Sequence, residues 1–189
     1  MADISRYLPL SNRPRSDESS VSSDRRDAIG DVIEEAARLI GGVAPARAAA
    51  LIDAFFDRAR LQVTPPAAGG EARARLGAAS AAVRSGRPCS IRQLCDAVRA
   101  LLLLSGDLAR TPLIDPRTTG AIALFGATSG PFERRVVLAG HTLRATDGAW
   151  EFGRGAVLEG AAIDIAAFVL GVSEIPPQPP PATRPGDAR

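Results

Sequence analysis

The chain has 189 residues, 46% of them hydrophobic, 23% charged and only 4% aromatic. That composition belongs to folded globular proteins and excludes fibrous, collagen-like and heavily charged disordered chains. A chain of this length buries roughly 70% of the surface it exposes when unfolded, so its core needs no disulfide framework or structural metal.

All 23 basic residues are arginine, and the formal net charge is only +2. The excess of Arg, Ala, Gly and Pro is the bias that a GC-rich bacterial genome imposes. So small a net charge provides little long-range steering toward nucleic acid or an anionic membrane. No apolar run approaches the roughly 20 residues of a membrane span, and the amino terminus lacks the charged start, apolar stretch and cleavage site of a secretory signal. The expected location is cytoplasmic. Cys89 and Cys95 have no second pair, and His141 is the sole histidine. Zinc-ligand spacing is therefore absent, and two reduced thiols are expected instead.

Residues 1–23 mix Ser, Arg, Asp and Pro without a period and are expected to be disordered, as is the Pro-rich tail over 174–189. From Asp24 onward Ile29, Val32, Ile33, Ala36 and Ile40 recur at helical spacing until Gly41-Gly42 stops the run. A second helix starts at Pro45, with Ala48, Leu51, Ile52, Phe55 and Ala59 on one face, and ends before Pro65-Pro66. These two helices are expected to form an antiparallel hairpin. The alanine-rich stretch from Glu71 to Arg84 offers only Leu76, Ala79 and Val83 for packing and carries Gly77, so it reads as a loosely held helix.

Ser90 and Gln93 make a capping box for the next helix. Its apolar residues Ile91, Leu94, Cys95, Val98 and Leu101 to Leu104 surround it almost completely, which places it at the centre. After Pro112 the period changes. Val136 to Leu138, Thr142 to Ala145, Trp150 to Phe152 and Val157-Leu158 are predicted strands, with Asp147-Gly148 as a hairpin signal. A closing helix, Ala161 to Leu170, presents Ile163, Ala166, Ala167 and Leu170 inward. The predicted class is α+β: a helical bundle over 24–130, then a small α/β module over 131–173 whose antiparallel sheet is closed by the last helix.

The stretch from Gly140 to Gly171, through Leu143 to Asp147, Trp150, Gly153 to Gly155, Leu158 to Ala161 and Asp164 to Gly171, resembles the carboxyl-terminal module of the mycothiol-dependent maleylpyruvate isomerase family, a DinB-like group. The similarity extends weakly back to Leu101–Leu113, where Asp107 and Arg110 match. Leu104 stands where that family has a histidine, Ala100 where it has an acidic residue, and Val172 where it has an arginine. The family's early Trp, Arg-Asp and His motif has no counterpart. A metal site of the family's kind needs imidazoles and a carboxylate within about 2.0–2.2 Å of one ion, and a chain with a single histidine cannot supply it.

The resemblance therefore implies a metal-free relative without a resident cofactor, acting through binding of a small hydrophobic ligand or a protein segment in an apolar groove near Trp150. The candidate binding residues are Arg84, Arg87, Arg92, Asp107, Arg110, His141 and Trp150. No catalytic residue and no metal ligand is assigned. Asp107 and Arg110, three apart at a helix end, could clamp a ligand or pair with each other. His141, as the sole histidine, is a candidate acid or base but has no nucleophile motif beside it.

Arg73, Arg75, Arg84, Arg87 and Arg92 form the most basic stretch, which suits phosphate or carboxylate recognition. It carries no interleaved aromatic, which argues against nucleic acid. The motif Gly153-Arg154-Gly155 lacks a following helix and reads as a turn rather than a nucleotide cradle. Two alternatives remain. One is an active enzyme that draws an acid or base from Asp107, Asp147, Glu151 or His141 and binds a thiol cofactor at the arginines. The other is an assembly subunit, with an oligomer built on the Leu101–Leu104 helix and the proline tail.

Overall fold

The computed structural model describes residues 24–61 and 72–181; the expectations for 1–23, for Pro65-Pro66 and for the far end of the tail lie outside these residues. Seven helices and a three-stranded sheet follow in the order α1 (Arg26–Ile40), α2 (Pro45–Ala59), α3 (Ala72–Ser85), α4 (Ile91–Leu108), α5 (Pro116–Ser129), α6 (Phe132–Leu138), β1 (His141–Ala145), β2 (Glu151–Gly153), β3 (Ala156–Gly160) and α7 (Ala162–Val169). The architecture is α+β, with a helical amino-terminal region. Among the described residues no helix is long and apolar enough to cross a membrane.

The apolar faces read from the sequence are the faces that bury. In α1, Ile29, Ile33, Ala36 and Leu39 are sealed from solvent, and in α2 so are Ala48, Ile52 and Phe55. The first two helices nevertheless do not form the expected hairpin. α1 packs mainly on α3 and α4, and α2 mainly on α4 and α3, so α1 and α2 lie across the bundle from each other. Helix α4 is central, as predicted, with Leu94, Ala97, Val98, Ala100, Leu101 and Leu104 all buried. Its capping box is complete. Ser90 Oγ accepts from the Gln93 N–H at 3.4 Å, and Gln93 Oε1 accepts from the Ser90 N–H at 2.8 Å.

Helix α3 is not loosely held. Leu76, Ala79 and Ser80 are fully enclosed, and charge replaces the missing apolar surface. Arg84 Nη2 reaches Asp31 at 2.7 Å and Glu34 at 3.0 Å on α1, while Arg75 Nη2 reaches Asp53 at 2.9 Å on α2. A Cβ on Gly30 would stand 2.6 Å from the Arg84 guanidinium, so the glycine lets this arginine lie flat across α1.

Two helices, α5 and α6, occupy the stretch between Pro112 and β1. Helix α5 escaped the periodicity reading because Gly120, Gly126 and three threonines interrupt its apolar residues. Its start was legible all the same: Asp115 caps it, accepting from the Arg117 N–H at 2.8 Å, and Pro116 takes the first position. Val136 to Leu138, predicted as a strand, belongs to α6, where only Leu138 buries and Val136 and Val137 stay exposed. That β-branched pair gives a strand signal, but it lies on one helical turn that packs on α5.

The sheet is mixed rather than antiparallel. Its order is β2-β1-β3, with β1 antiparallel to β2 and parallel to β3. The cause is Gly153 and Gly155, at φ +105° and +116°, a backbone region that costs a side-chain-bearing residue dearly. They let the chain leave β2, pass against the carbonyls of His141 and Gly140, and rise on the other side of β1. Asp147, in the β1–β2 turn, then accepts from the Ala162 N–H at 2.6 Å and caps α7 across space.

In α7 the buried stripe is Ala162, Ile165, Ala166, Phe168 and Val169, whereas the predicted Ile163, Ala167 and Leu170 are half-buried. The contact with α5 fixes this rotation, since a Cβ on Gly126 would come within 2.5 Å of Val169 Cβ.

The tail expected to be disordered is partly engaged. Gln178 pairs with Glu159 on β3 through two backbone hydrogen bonds of 2.7 and 2.9 Å, and Pro177 is buried. Only Gln178 can bridge there, because its proline neighbours have no N–H to donate.

Replacing Gly155 by Ala forces a Cβ onto the Gly140 carbonyl at a forbidden φ, and the expected loss is about 1–3 kcal/mol. Gly77→Ala on exposed α3 meets open space and should add about 0.5–1 kcal/mol. Chemical denaturation of the two variants checks both signs.

Candidate functional site

The residues singled out in the sequence do not converge. Arg84 is the clasp between α3 and α1 described above. Arg110 does not pair with Asp107. Its guanidinium donates to the carbonyls of Leu39 and, at 2.8 Å, Gly41, closing the carboxyl end of α1. Asp107 is held instead by Arg58 at 3.2 Å. Arg87 is exposed beyond α3. His141 opens β1, its Nδ1 lying 3.0 Å from the Ala139 carbonyl oxygen. Of the acids considered for catalysis, Asp147 caps α7 and Glu151 pairs with Arg144 at 2.7 Å.

Trp150 is part of the packing between sheet and helix. It stacks on Phe152 with 5.6 Å between ring centroids, its Nε1 donates to Thr119 Oγ1 at 3.4 Å, and a Cβ on Gly120 would lie 3.0 Å from its ring. The groove expected beside it is taken up by α5. The basic stretch is likewise not one patch. Arg75 and Arg84 turn into helix interfaces, while Arg92 faces elsewhere.

Leu104 is buried with Ala100 and Leu101 in the apolar core. Among the described residues no three His, Cys, Asp or Glu side chains come together as a metal ion would require. Leu101, Leu102 and Leu104 are core residues and are not free to form an assembly face.

Two cavities stand out. The first, of about 820 Å³, lies where the end of α1 meets the starts of α2 and α3. Two of its three charged side chains are already engaged, Arg38 by Glu35 at 2.6 Å and by the Thr111 carbonyl at 3.0 Å, and Glu34 by Arg84, while Arg73 at its rim is exposed. The second, of about 560 Å³, separates the bundle from the carboxyl-terminal module. Phe125, Pro131, Val169 and Leu170 form its apolar wall, and Arg60, Arg92, Asp96 and Arg99 its charged one. It is continuous with a charged recess of about 570 Å³ that shares Arg60, Asp96 and Arg99 and adds Asp57 and Arg58.

Helix α4 builds this cleft. Arg92, Cys95, Asp96 and Arg99 fall at i, i+3, i+4 and i+7 and share one stripe of the helix, on which Arg92 and Arg99 are exposed and Cys95 is buried. Arg60 enters from the end of α2, where it adopts a left-handed conformation at φ +50° as the helix cap. Arg92 makes no side-chain hydrogen bond or ion pair among the described residues, nor does Arg60. Arg99 donates its Nε to the Leu170 carbonyl at 3.2 Å, which leaves its terminal nitrogens available. The Cys95 thiol at the cleft floor is pushed up to about 12 by burial, with Asp96 adding to the effect, so it is not a nucleophile at neutral pH.

Arg92 is the only predicted site residue at the cleft. Arg60, Asp96 and Arg99 were missed, although the spacing of Arg92, Asp96 and Arg99 on a helix with a complete cap was a readable signal. No family model matches the chain, and no curated protein and no solved structure matches it either.

The α3 clasp has a pH signature. The Arg84 hydrogen bond, followed by that of Ser80, holds the Glu34 carboxyl below its ordinary 4.5. The Cys89 N–H, at the junction of α1 with α4, holds Asp24 below 3.8. Groups with lowered folded values leave the folded state with fewer bound protons than the unfolded one. Their stabilisation is complete above the ordinary values and is lost as pH falls through the folded ones. Stability should therefore decline below about pH 4.5, and Arg84→Gln should flatten that decline while lowering stability at pH 7. Urea midpoints measured between pH 3 and 7 test this.

Proposed function

We propose that this chain is a non-catalytic, cytoplasmic binding protein, a relative of the thiol-dependent isomerase family that works without a resident metal or thiol cofactor. Its ligand is a small hydrophobic molecule or a protein segment taken up between the bundle and the carboxyl-terminal module. One observation carries this reading: the cleft joining the two halves has the size and half-apolar lining of a ligand site, yet it presents no histidine, and its only thiol is held protonated at neutral pH. General acid–base or nucleophilic chemistry needs a group poised near the working pH; the cleft and its recess offer only the carboxylates of Asp96 and Asp57, set among arginines.

Leu104 and Ala100 support the same reading. Side chains that would have to be imidazole and carboxylate in an active relative are apolar and sealed in the core, so restoring the site would require two polar groups in a dry interior.

Purified protein should contain substoichiometric zinc, iron and manganese by plasma mass spectrometry and should show no thiol-dependent isomerisation of maleylpyruvate above the uncatalysed rate. One bound metal per chain, or turnover that persists after exhaustive repurification, would reverse the reading.

A further inference from the structure

We infer that the α4–α5–α7 cleft is a binding site for a monoanionic amphipathic organic acid, an apolar body carrying one carboxylate-like head. The inference rests on the binding-protein reading above and names its ligand class.

The two walls of the cleft define the two ends of the ligand. Phe125, Pro131, Val169 and Leu170 offer only apolar surface, with Gly126 drawing α5 close enough to α7 to close the base. An apolar body gains by leaving water here, at about 25 cal/mol per Å² buried. Facing that wall are Arg60, Arg92 and Arg99, against two carboxylates, Asp57 and Asp96. Arg58, also in the recess, is already paired with Asp107. Three guanidiniums against two carboxylates leave one positive charge uncompensated, and no Arg–Asp pair within the cleft closes to ion-pair distance.

The placement of these groups beside an apolar wall carries the assignment. Elsewhere in the fold, arginines such as Arg26, Arg38, Arg47, Arg75 and Arg84 are drawn onto acids or helix-end carbonyls at 2.6 to 3.3 Å, while Arg73, Arg87, Arg117 and Arg154 stay exposed without such a partner among the described residues. Arg60 and Arg92 have neither kind of partner among the described residues, although Asp96 shares the cleft with both. Arg60 adopts a left-handed backbone as the cap of α2, and its side chain, like that of Arg92, is exposed. The guanidinium fork is shaped for two parallel hydrogen bonds to a planar carboxylate. An acid whose head lies between Arg60, Arg92 and Arg99 and whose body lies on Phe125 and Leu170 satisfies both walls at once. A neutral ligand leaves the charge unmet, and a small anion without a body leaves the apolar wall wet.

Isothermal titration of the full chain with octanoate, octan-1-ol and acetate tests the site, with Arg92→Gln and Arg60→Asn as variants. Asn tolerates the left-handed backbone at position 60, and circular dichroism confirms that each variant is folded. Arg87→Gln, on an exposed arginine outside the cleft, is the control. We expect saturable one-to-one binding of octanoate, and binding of octan-1-ol and acetate weaker by about tenfold or more. Both cleft variants should weaken octanoate binding by about tenfold, the scale of a lost charge-assisted hydrogen bond, and the control should bind as the parent does.

No octanoate binding at millimolar concentration, equal affinity for octan-1-ol, or full affinity in a folded Arg92→Gln variant would overturn the assignment. If it fails while the protein remains free of metal and turnover, the non-catalytic reading stands without this ligand. If octanoate binds as described but the protein turns over substrate, the site stands and the non-catalytic reading falls.

Discussion

Helix α4 is the constraint on which the rest depends. Its apolar residues surround most of the helix axis, so it is stable only when covered on several sides, and α1, α2 and α5 supply that cover. Burial of Leu94, Val98, Leu101 and Leu104 fixes the rotation of the helix, and that rotation leaves Arg92, Asp96 and Arg99 on the stripe that lines the cleft. The cleft is thus a consequence of core packing. Its charged wall is oriented by leucines on the opposite face, at a register set by the Ser90 capping box one turn earlier. A site carried on a buried helix holds its geometry better than one carried on a loop.

Where apolar surface runs short, the chain uses arginine. Helix α3 has too few large side chains to dock by burial alone, and Arg75 and Arg84 fasten it through ion pairs to α2 and α1. The same residue type closes helix ends: Arg110 on the carbonyls at the end of α1, and Arg134 on the carbonyls of Phe168 and Ser173 at 2.7 Å each, with its guanidinium 4.9 Å from the Phe168 ring. Guanidinium suits this work because it is planar, permanently charged and weakly hydrated. The arginines of this lysine-free chain are thus divided between helix interfaces, such as Arg75 and Arg84, and solvent, such as Arg73 and Arg87.

The helical half of the fold was legible in the sequence because its signals are local and redundant. The stripe of α1, the Pro45 start of α2 and the Ser90–Gln93 cap each fix an element without reference to the others. What escaped depends on pairs of elements. Helix α5 has glycines at 120 and 126 because Trp150 and Val169 approach there, and those glycines erase the periodicity that would have announced it. The sheet became mixed because Gly153 and Gly155 carry the chain past the start of β1, a path that spacing alone cannot distinguish from a hairpin. The tail engages at Gln178 because β3 offers an open edge, which the sequence of the tail does not reveal.

The same distinction separates the two sets of candidate site residues. Asp107, Arg110 and Arg84 attracted notice as charged groups close together in sequence, and charged groups of that kind find structural partners easily: Arg58, the end of α1, the acids of α1. Arg60 and Arg92 lie 32 positions apart and on different helices, so no sequence window unites them; the fold brings them to one cleft without giving either a partner. A guanidinium tied into a helix interface has already exchanged its hydration for protein contacts and has little to gain from a ligand. One that keeps its hydration beside an apolar wall can still make that exchange, and the wall lowers the local dielectric in which it is made. In this chain the arginines most informative about binding are therefore those that packing left unused.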